Sequence, residues 1–160
     1  MNLDKISVVI LAGGLGTRLK NFRGSNLTKV LLEISGIPMI IKQIEQVINW
    51  GFDLNNIVCV TNPSIHDSIG EVIKNKFGTK IKCVIQPEPL GISHAINLCR
   101  SFIGDEKFLV FLGDNIIQKN IYNFANEFLN SNDDASILLC EVDNPSRFGI
   151  ADMHEGKITK

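Results

Sequence analysis

Residues 6–19 read ISVVILAGGLGTRL, and this stretch decides the fold. It begins as a mainly β-branched apolar run and then places three glycines within four positions, at 13, 14 and 16. Such a run predicts a buried strand that ends in a loop whose backbone approaches a ligand closely. Uncovered amide N–H groups can donate several hydrogen bonds to one anion, and Arg18 and Lys29 add positive charge nearby. The stretch therefore predicts a loop that binds the phosphates of a nucleoside triphosphate.

Two common phosphate-binding fingerprints do not fit this loop. A P-loop requires G-x-x-x-x-G-K followed by Ser or Thr, but Lys29 is followed by Val30. A dinucleotide fingerprint requires G-x-G-x-x-G, and Leu19 stands where its third glycine should be. Glu33 is also too near the loop to be the acidic residue that binds a ribose. A dinucleotide-dependent oxidoreductase is therefore disfavoured.

Composition and charge favour one α/β domain over several. The chain has 160 residues, of which 44% are hydrophobic, so it can bury a substantial core. Sixteen Lys and Arg against 17 Asp and Glu give a formal charge of −1, which provides no general attraction for nucleic acid or acidic membranes. The first residues do not form a secretion signal, and no apolar run approaches the roughly 18 residues of a membrane span. We expect a cytoplasmic protein without nucleic-acid or membrane partners.

The cysteines and histidines show no metal-binding pattern. Cys59, Cys83, Cys99 and Cys140 are far apart and mostly lie in apolar runs, which predicts buried, reduced thiols rather than zinc ligands or disulfides. His66 and His94 fall on predicted helices with no second ligand at metal spacing. We expect solvated or core-edge positions for them rather than catalysis.

Strand and helix patterns alternate along the rest of the chain. Helical spacing of apolar residues predicts a helix that ends at Gly51, one that starts near Pro63, and two more over residues 92–102 and 121–129. Between them lie four further predicted strands, at residues 57–61, 81–85, 108–112 and 135–141. This alternation predicts an α/β fold with a doubly wound, mostly parallel open sheet. In such sheets ligands bind beyond the carboxyl ends of the strands.

Two loops that follow predicted strands carry further candidate site residues. Residues 86–95 read QPEPLGISHA, in which two prolines stiffen the loop. The amide of Gln86 offers a donor and an acceptor, which suits the edge of a nucleobase. Asp114 follows the strand at 108–112, where a carboxylate can bind Mg²⁺ that bridges nucleotide phosphates.

Several of these stretches resemble the sugar nucleotidyltransferase family. Residues 11–19, LAGGLGTRL, match the family signature L-A-G-G-x-G-T-R-L at every fixed position, and Lys29 follows as the family's lysine does. Residues 86–91 resemble Q-P-x-P-x-G of the thymidylyl- and uridylyltransferases, and residues 112–115 match L-G-D-N. Residues 142–150, VDNPSRFGI, resemble V-x-D-P-x-R-F-G-V, in which the glycine lets a sugar phosphate lie against the backbone.

The resemblance implies a Rossmann-like nucleotidyltransferase, closest to glucose-1-phosphate thymidylyltransferases and acting in nucleotide-sugar biosynthesis. Such an enzyme transfers a nucleotidyl group from dTTP or UTP to a sugar 1-phosphate, here glucose 1-phosphate, and releases pyrophosphate with the help of Mg²⁺. The implied catalytic residues are Arg18 and Lys29, the implied metal ligand is Asp114, and Gly149 is the implied contact for the sugar phosphate. The implied nucleotide-binding residues are Leu11, Ala12, Gly13, Gly14, Gly16, Thr17, Gln86, Pro89, Gly91 and Asp114.

The sequence departs from the family pattern in two places. Residues 18–29 lack both prolines of the family's R-L-x-P-x-T-x-x-x-P-K and are one residue longer, and Arg23 is a second candidate to bind the anion. Family members also continue past the equivalent of Lys160 into a segment with a second lysine and a second metal-binding aspartate. The expectation is that residues 1–160 form the N-terminal, nucleotide-binding portion of a nucleotidyltransferase domain without its C-terminal sugar-binding part.

Two alternatives to this function stay open. One is a guanylyl- or cytidylyltransferase acting on another sugar phosphate, against which Gln86 argues. The other is a nucleotide-binding module without turnover. The sequence is also compatible with a homo-oligomer.

Overall fold

The computed structural model describes residues 3–14 and 28–159, apart from the side chain of Arg147. The strands in chain order are β1 (Ser7–Leu11), β2 (Glu33–Ile34), β3 (Ile37–Pro38), β4 (Ile57–Thr61), β5 (Lys82–Ile85), β6 (Phe108–Leu112), β7 (Met153–His154) and β8 (Lys157–Ile158). The helices are α1 (Met39–Asn49), α2 (His66–Phe77), α3 (Ile92–Leu98), α4 (Arg100–Ile103) and α5 (Tyr122–Asn130). None of the helices described is long and apolar enough to cross a membrane.

Four strands form the central sheet, in the order β5-β4-β1-β6, and all its neighbours are parallel. From β1 the chain adds β4 and then β5 on one side, and afterwards returns to place β6 on the other side of β1. The strand order therefore reverses between β1 and β6. A reversal of this kind opens a crevice at the carboxyl ends of the two strands, which is where open α/β sheets bind ligands.

Helices cover both faces of this sheet because successive residues of a strand point to opposite faces. On β1, Val8 and Ile10 pack into a core cluster that includes residues of α1, α2 and α5. Val9, between them, packs with residues of α3 and α4 on the other face. The side chains of Val8, Val9 and Ile10 are all fully buried. The predicted doubly wound, parallel α/β fold is confirmed.

The predicted helix over residues 92–102 is interrupted at Cys99. α3 ends at Leu98 and α4 begins at Arg100, with Cys99 between them at φ −93° and ψ 1°. The amide of Cys99 donates to the carbonyl of Ile96, and that of Phe102 to the carbonyl of Cys99, at 2.9 and 2.8 Å. Such i to i−3 bonds tighten the turn and end the regular α-helix there. The prediction of helical structure over residues 92–102 is confirmed, but the prediction of one continuous helix is wrong.

The predicted strand over residues 135–141 is also wrong. The chain has no regular structure there, and its apolar side chains Ile137, Leu138 and Leu139 are exposed. A strand exists only where its backbone groups pair with a neighbour, and within the described chain this segment forms no backbone hydrogen bonds to β6. Residues of both segments instead line a cavity of about 770 Å³ that lies between them.

The cysteines only partly match their predicted burial. Cys59 and Cys99 are buried and Cys83 is half-buried, whereas Cys140, on the unpaired segment just described, is exposed. Cys59 and Cys83 are in register on β4 and β5. The hydrogen bond between these two thiols and the burial of Cys59 raise the pKa of Cys59 well above its ordinary value. The same hydrogen bond lowers the pKa of Cys83.

Candidate functional site

A cavity of about 430 Å³ lies at the carboxyl ends of the central strands. Leu11 and Leu112 end β1 and β6 on its wall, and Val60 belongs to β4. The sequence-predicted residues that line it are Leu11, Ala12, Gly13, Gly14, Lys29, Gln86, Pro89, Gly91 and Asp114. The fold therefore brings three loops that are distant in sequence to one cavity.

Neighbouring segments hold the glycine loop after β1 in place. The amide of Ala12 donates to the carbonyl of Val60 at 2.8 Å, which continues the sheet pairing by one residue. Within residues 3–14 and 28–159, the amides of Gly13 and Gly14 have no hydrogen-bond acceptor. The loop can therefore offer two adjacent N–H groups to an anion in the cavity.

Asn62, which directly follows β4, fixes this loop. Its Nδ2 donates to the carbonyl of Gly13 at 2.9 Å, and its Oδ1 accepts from the amide and hydroxyl of Ser64. The side chain is buried. A Cβ on Gly13 would lie 3.2 Å from the carbonyl carbon of Thr61, so the loop packs tightly against the end of β4. The signal for Asn62 was its position directly after a predicted strand.

Gly113 brings the end of β6 into contact with the end of β1. Its amide donates to the carbonyl of Leu11 at 2.9 Å, and a Cβ at this position would lie only 2.6 Å from that oxygen. Glycine is required here because of this close approach, not because of an unusual φ. The contact carries Asp114, the next residue, to the edge of the cavity beside the glycine loop.

We expect Gly113→Ala to destabilise the fold by about 1–3 kcal/mol, because the added methyl group would have to push two main-chain segments apart. The free energy of unfolding, measured by chemical denaturation, tests this prediction. Gly70→Ala is the matched control, because Gly70 lies within α2 and a Cβ there meets nothing within 4 Å. That variant should be as stable as the wild type or slightly more stable. Equal stability of both variants would contradict the close approach.

Lys29 and Asp114 form an ion pair at the mouth of the cavity. The distance from Lys29 Nζ to Asp114 Oδ2 is 3.2 Å, and the side chains are 34% and 47% exposed. An ion pair this exposed contributes only about 0–1 kcal/mol to stability. Both charges can therefore exchange their mutual contact for contacts with a ligand at little cost to the fold.

The loop that carries Asp114 is supported from α1. Gln43 donates its amide N–H to the carbonyl of Asn115 at 3.0 Å, and Gln46 donates to the carbonyl of Ile117. Gln43 is buried. These two contacts hold the backbone just after Asp114 and so restrict where its carboxylate can lie.

The donor set at Asp114 suits a divalent cation that arrives with a nucleotide. Mg²⁺ prefers oxygen ligands and is commonly held by one or two carboxylates together with substrate phosphates and water. Asp114 supplies one such carboxylate on the cavity wall. Residues 3–14 and 28–159 contain no cluster of three or more His, Cys, Asp or Glu side chains that could hold a metal by themselves. The residues present therefore fit Mg²⁺ that is shared with a triphosphate.

Gln86 is fixed on the opposite wall of the cavity, in the loop after β5. Its main-chain N–H donates to the carbonyl of Thr61 at 2.7 Å. Its side-chain Nε2 donates to the carbonyl of Gly91 at 3.0 Å and lies 3.2 Å from Nδ1 of His94. Gly91 has a φ of +92°, a conformation that favours glycine, immediately before α3.

Some predicted site residues lie elsewhere or outside the described part of the chain. Gly16, Thr17 and Arg18, together with Arg23, fall outside the described residues. Gly149 is exposed and does not line this cavity, and a Cβ on it would meet nothing within 4 Å. Its role in binding a sugar phosphate stays a prediction.

Nearly the whole chain matches one known protein family. A family model described as nucleotidyl transferase matches residues 7–160, nearly the whole chain. The chain belongs to the nucleotidyltransferase family. This nucleotidyltransferase is 32% identical over 152 residues to a glucose-1-phosphate thymidylyltransferase of Streptomyces antibioticus, covering 94% of the chain and 42% of the relative. It is 30% identical over 160 residues to mannose-1-phosphate guanylyltransferase 1 of Arabidopsis thaliana, covering 97% of the chain and 44% of that protein.

A solved structure agrees with the sequence relatives. The nucleotidyltransferase superposes on a Bacillus anthracis protein assigned as a glucose-1-phosphate thymidylyltransferase with a TM-score of 0.85 at 31% identity. The match covers 97% of this chain and 63% of that one. The predicted membership of the sugar nucleotidyltransferases is thereby confirmed. The chain spans less than half the length of the two curated relatives named above, and these carry different nucleotides in their names.

Proposed function

We propose that this nucleotidyltransferase binds dTTP or UTP in the 430 Å³ cavity and takes part in transferring the nucleotidyl group to glucose 1-phosphate. The observation that carries the proposal is the convergence of three loops on this cavity. It is lined by two glycine amides that have no acceptor among the described residues, by the Lys29–Asp114 ion pair and by the side-chain amide of Gln86. The glycine amides suit a phosphate, the Lys29–Asp114 pair suits a metal-bound phosphate, and the side-chain amide of Gln86 suits the edge of a base.

The proposed reaction is a displacement at the α-phosphorus. An oxygen of the sugar 1-phosphate forms a bond to the α-phosphorus, and the bond from that phosphorus to the bridging oxygen of the β-phosphate breaks. The products are a nucleotide sugar and pyrophosphate. The attacking phosphate is already ionised, so no general base is needed, and the main obstacle is repulsion between two anions. Positioning and charge neutralisation are therefore what the site has to supply.

Each group in the cavity has a role that follows from its chemistry. The amides of Gly13 and Gly14 would hold phosphate oxygens, and Lys29 would neutralise the charge that gathers around the α-phosphate. Asp114 would hold Mg²⁺, which supplies further neutralisation of the phosphates when bound. Arg18 keeps its predicted role of binding the departing pyrophosphate, and Gly149 its predicted contact with the sugar phosphate.

The proposal is tested by measuring pyrophosphate release from Mg²⁺, dTTP and glucose 1-phosphate, with nucleotide binding measured by calorimetry on the same protein. We expect release that requires all three components. Binding of dTTP without any release would favour the alternative of a nucleotide-binding module without turnover. If dTTP and UTP both failed to bind, the proposal would be wrong.

Guanylyl transfer is the second candidate. The Arabidopsis mannose-1-phosphate guanylyltransferase favours it, because it is 30% identical over 97% of this chain, close to the 32% over 94% of the Streptomyces antibioticus thymidylyltransferase. Thermal shift with dTTP, UTP, GTP and CTP in the presence of Mg²⁺ separates the two. A larger stabilisation by dTTP or UTP supports pyrimidine transfer, and a larger one by GTP supports the alternative.

A further inference from the structure

The side-chain amide of Gln86 can be oriented from the structure without any ligand. Its Nε2 lies 3.0 Å from the carbonyl oxygen of Gly91, which can only accept a hydrogen bond. If the amide were turned over, two oxygens would face each other at that distance. The amide nitrogen must therefore point toward Gly91, and the carbonyl oxygen must point the other way.

The second proton of the same amide group also has an acceptor. Nε2 lies 3.2 Å from Nδ1 of His94, on the first turn of α3. Since Nε2 is a donor, Nδ1 must accept, and the imidazole must carry its proton on Nε2. Both amide protons are thus used within the protein. Oε1 has no partner among the described residues, so it is the atom that Gln86 has left to offer to the cavity.

We infer that His94 is a positioning residue that, together with the Gly91 carbonyl, makes Gln86 present only a hydrogen-bond acceptor to the nucleobase. The site then selects bases that carry a ring N–H at the edge being read, such as uracil and thymine. Cytosine has an acceptor, N3, at the equivalent ring position. This inference rests on the proposed function, because it assigns a base specificity to the same cavity, and it gives His94 a role that the sequence analysis did not predict.

The surroundings of Gln86 support this selectivity. Pro89 and Ile92 line the cavity on either side of Gly91, and Ala95 follows on α3. These side chains offer no polar group that could satisfy cytosine N3. Gln86 is half-buried, and a base seated against it would cover Oε1. An acceptor of the base that faced Oε1 would then leave both acceptors without a donor, and this kind of mismatch discriminates more strongly than the loss of an apolar contact.

UTP and CTP are suitable probes because they share the ribose and the triphosphate and differ only at this edge of the base. We expect the wild type to bind UTP at least about tenfold more tightly than CTP in the presence of Mg²⁺, because CTP would leave Oε1 of Gln86 and N3 of cytosine facing each other without a donor. His94→Leu removes one of the two acceptors that hold this orientation, so the Gln86 amide can turn over at the cost of only its bond to Gly91 and then donate from Nε2 to cytosine N3. The preference should fall to within about threefold, mainly through tighter binding of CTP.

His94→Asn is the conservative variant, because its Oδ1 can accept from Gln86 at the same number of bonds from the backbone as Nδ1 of histidine. It should retain most of the preference for UTP. His154→Leu, on exposed β7, is the control for the loss of a histidine as such and should leave the ratio unchanged. An unchanged ratio in His94→Leu, or equal ratios in His94→Leu and His94→Asn, would overturn the inference.

A measurement on the unmodified protein complements the variants. Long-range proton–nitrogen NMR spectra distinguish the two neutral tautomers of histidine, and the signal missing from His94→Asn identifies His94. We expect the tautomer with its proton on Nε2, and the opposite tautomer would overturn the inference while leaving the proposed function intact. If neither UTP nor CTP nor any other triphosphate bound, the proposed function would fail and the inference with it.

Discussion

Lys29→Ala should lower kcat for pyrophosphate release by roughly 10²–10³-fold, the usual effect of removing one group that stabilises charge in a transition state. The Kd for dTTP should rise only a few-fold. The reason for the difference is that, in the proposed complex, dTTP would keep the contacts of its phosphates with the glycine amides and of its base with Gln86. The neutralisation that Lys29 provides matters most when a second phosphate approaches the α-phosphorus.

Parallel measurements of kcat by coupled pyrophosphate detection and of Kd by calorimetry check this prediction. Lys80→Ala is the matched control, because Lys80 is an exposed lysine that does not line the cavity, and both constants should stay at wild-type values. A rise in Kd for dTTP with kcat unchanged would mean that Lys29 binds substrate and transition state alike. Its proposed catalytic role would then be wrong.

Asp114→Asn should change nucleotide binding in opposite directions with and without Mg²⁺. The substitution keeps the size of the side chain but removes its charge, so Asp114 no longer repels the triphosphate and no longer occupies Lys29, 3.2 Å away. Without Mg²⁺ the variant should therefore bind dTTP as tightly as the wild type or more tightly. With Mg²⁺ it should bind more weakly, because an amide is a much poorer ligand for this cation than a carboxylate.

Turnover of Asp114→Asn should fall by roughly 10²-fold or more, since charge neutralisation is the main contribution that the site makes to the reaction. Titration of dTTP binding against Mg²⁺ concentration, together with kcat, checks both parts. Asp105→Asn is the control, because Asp105 lies before the start of β6, at the opposite end of the strand from Asp114. A general loss of affinity with and without Mg²⁺ would indicate damage to the fold rather than loss of a metal ligand.

The predicted site residues that line the cavity are those for which one short stretch of sequence contains both the structure and the chemistry. The glycine loop is an example, because the apolar run that makes β1 and the glycines that leave amides uncovered are adjacent in the chain. Gln86 and Asp114 are others, since each follows a recognisable strand. Once the strands are known to be parallel, their loops must meet at one edge of the sheet.

Contacts between distant segments were not predictable in this way. Nothing in the sequence around Gly113 indicates that its backbone lies against Leu11, and nothing around Asn62 indicates that it binds the carbonyl of Gly13. The role inferred for His94 is of the same kind. It depends on the distance between a loop residue and the first turn of the helix that follows it.

The sequence by itself determined the parallel α/β architecture and the loops that face the cavity. Apolar periodicity and glycine placement are local properties, which do not depend on which distant segments pack against them. It did not determine whether residues 135–141 would join the sheet, since a strand needs a neighbour with free backbone groups within reach, and a cavity separates this segment from β6. Only the tertiary structure decided whether this segment pairs. It also decided which hydrogen-bonding groups of Lys29, Gln86 and Asp114 are left for a ligand, because the contacts of each side chain depend on a partner far away in the chain or across a turn.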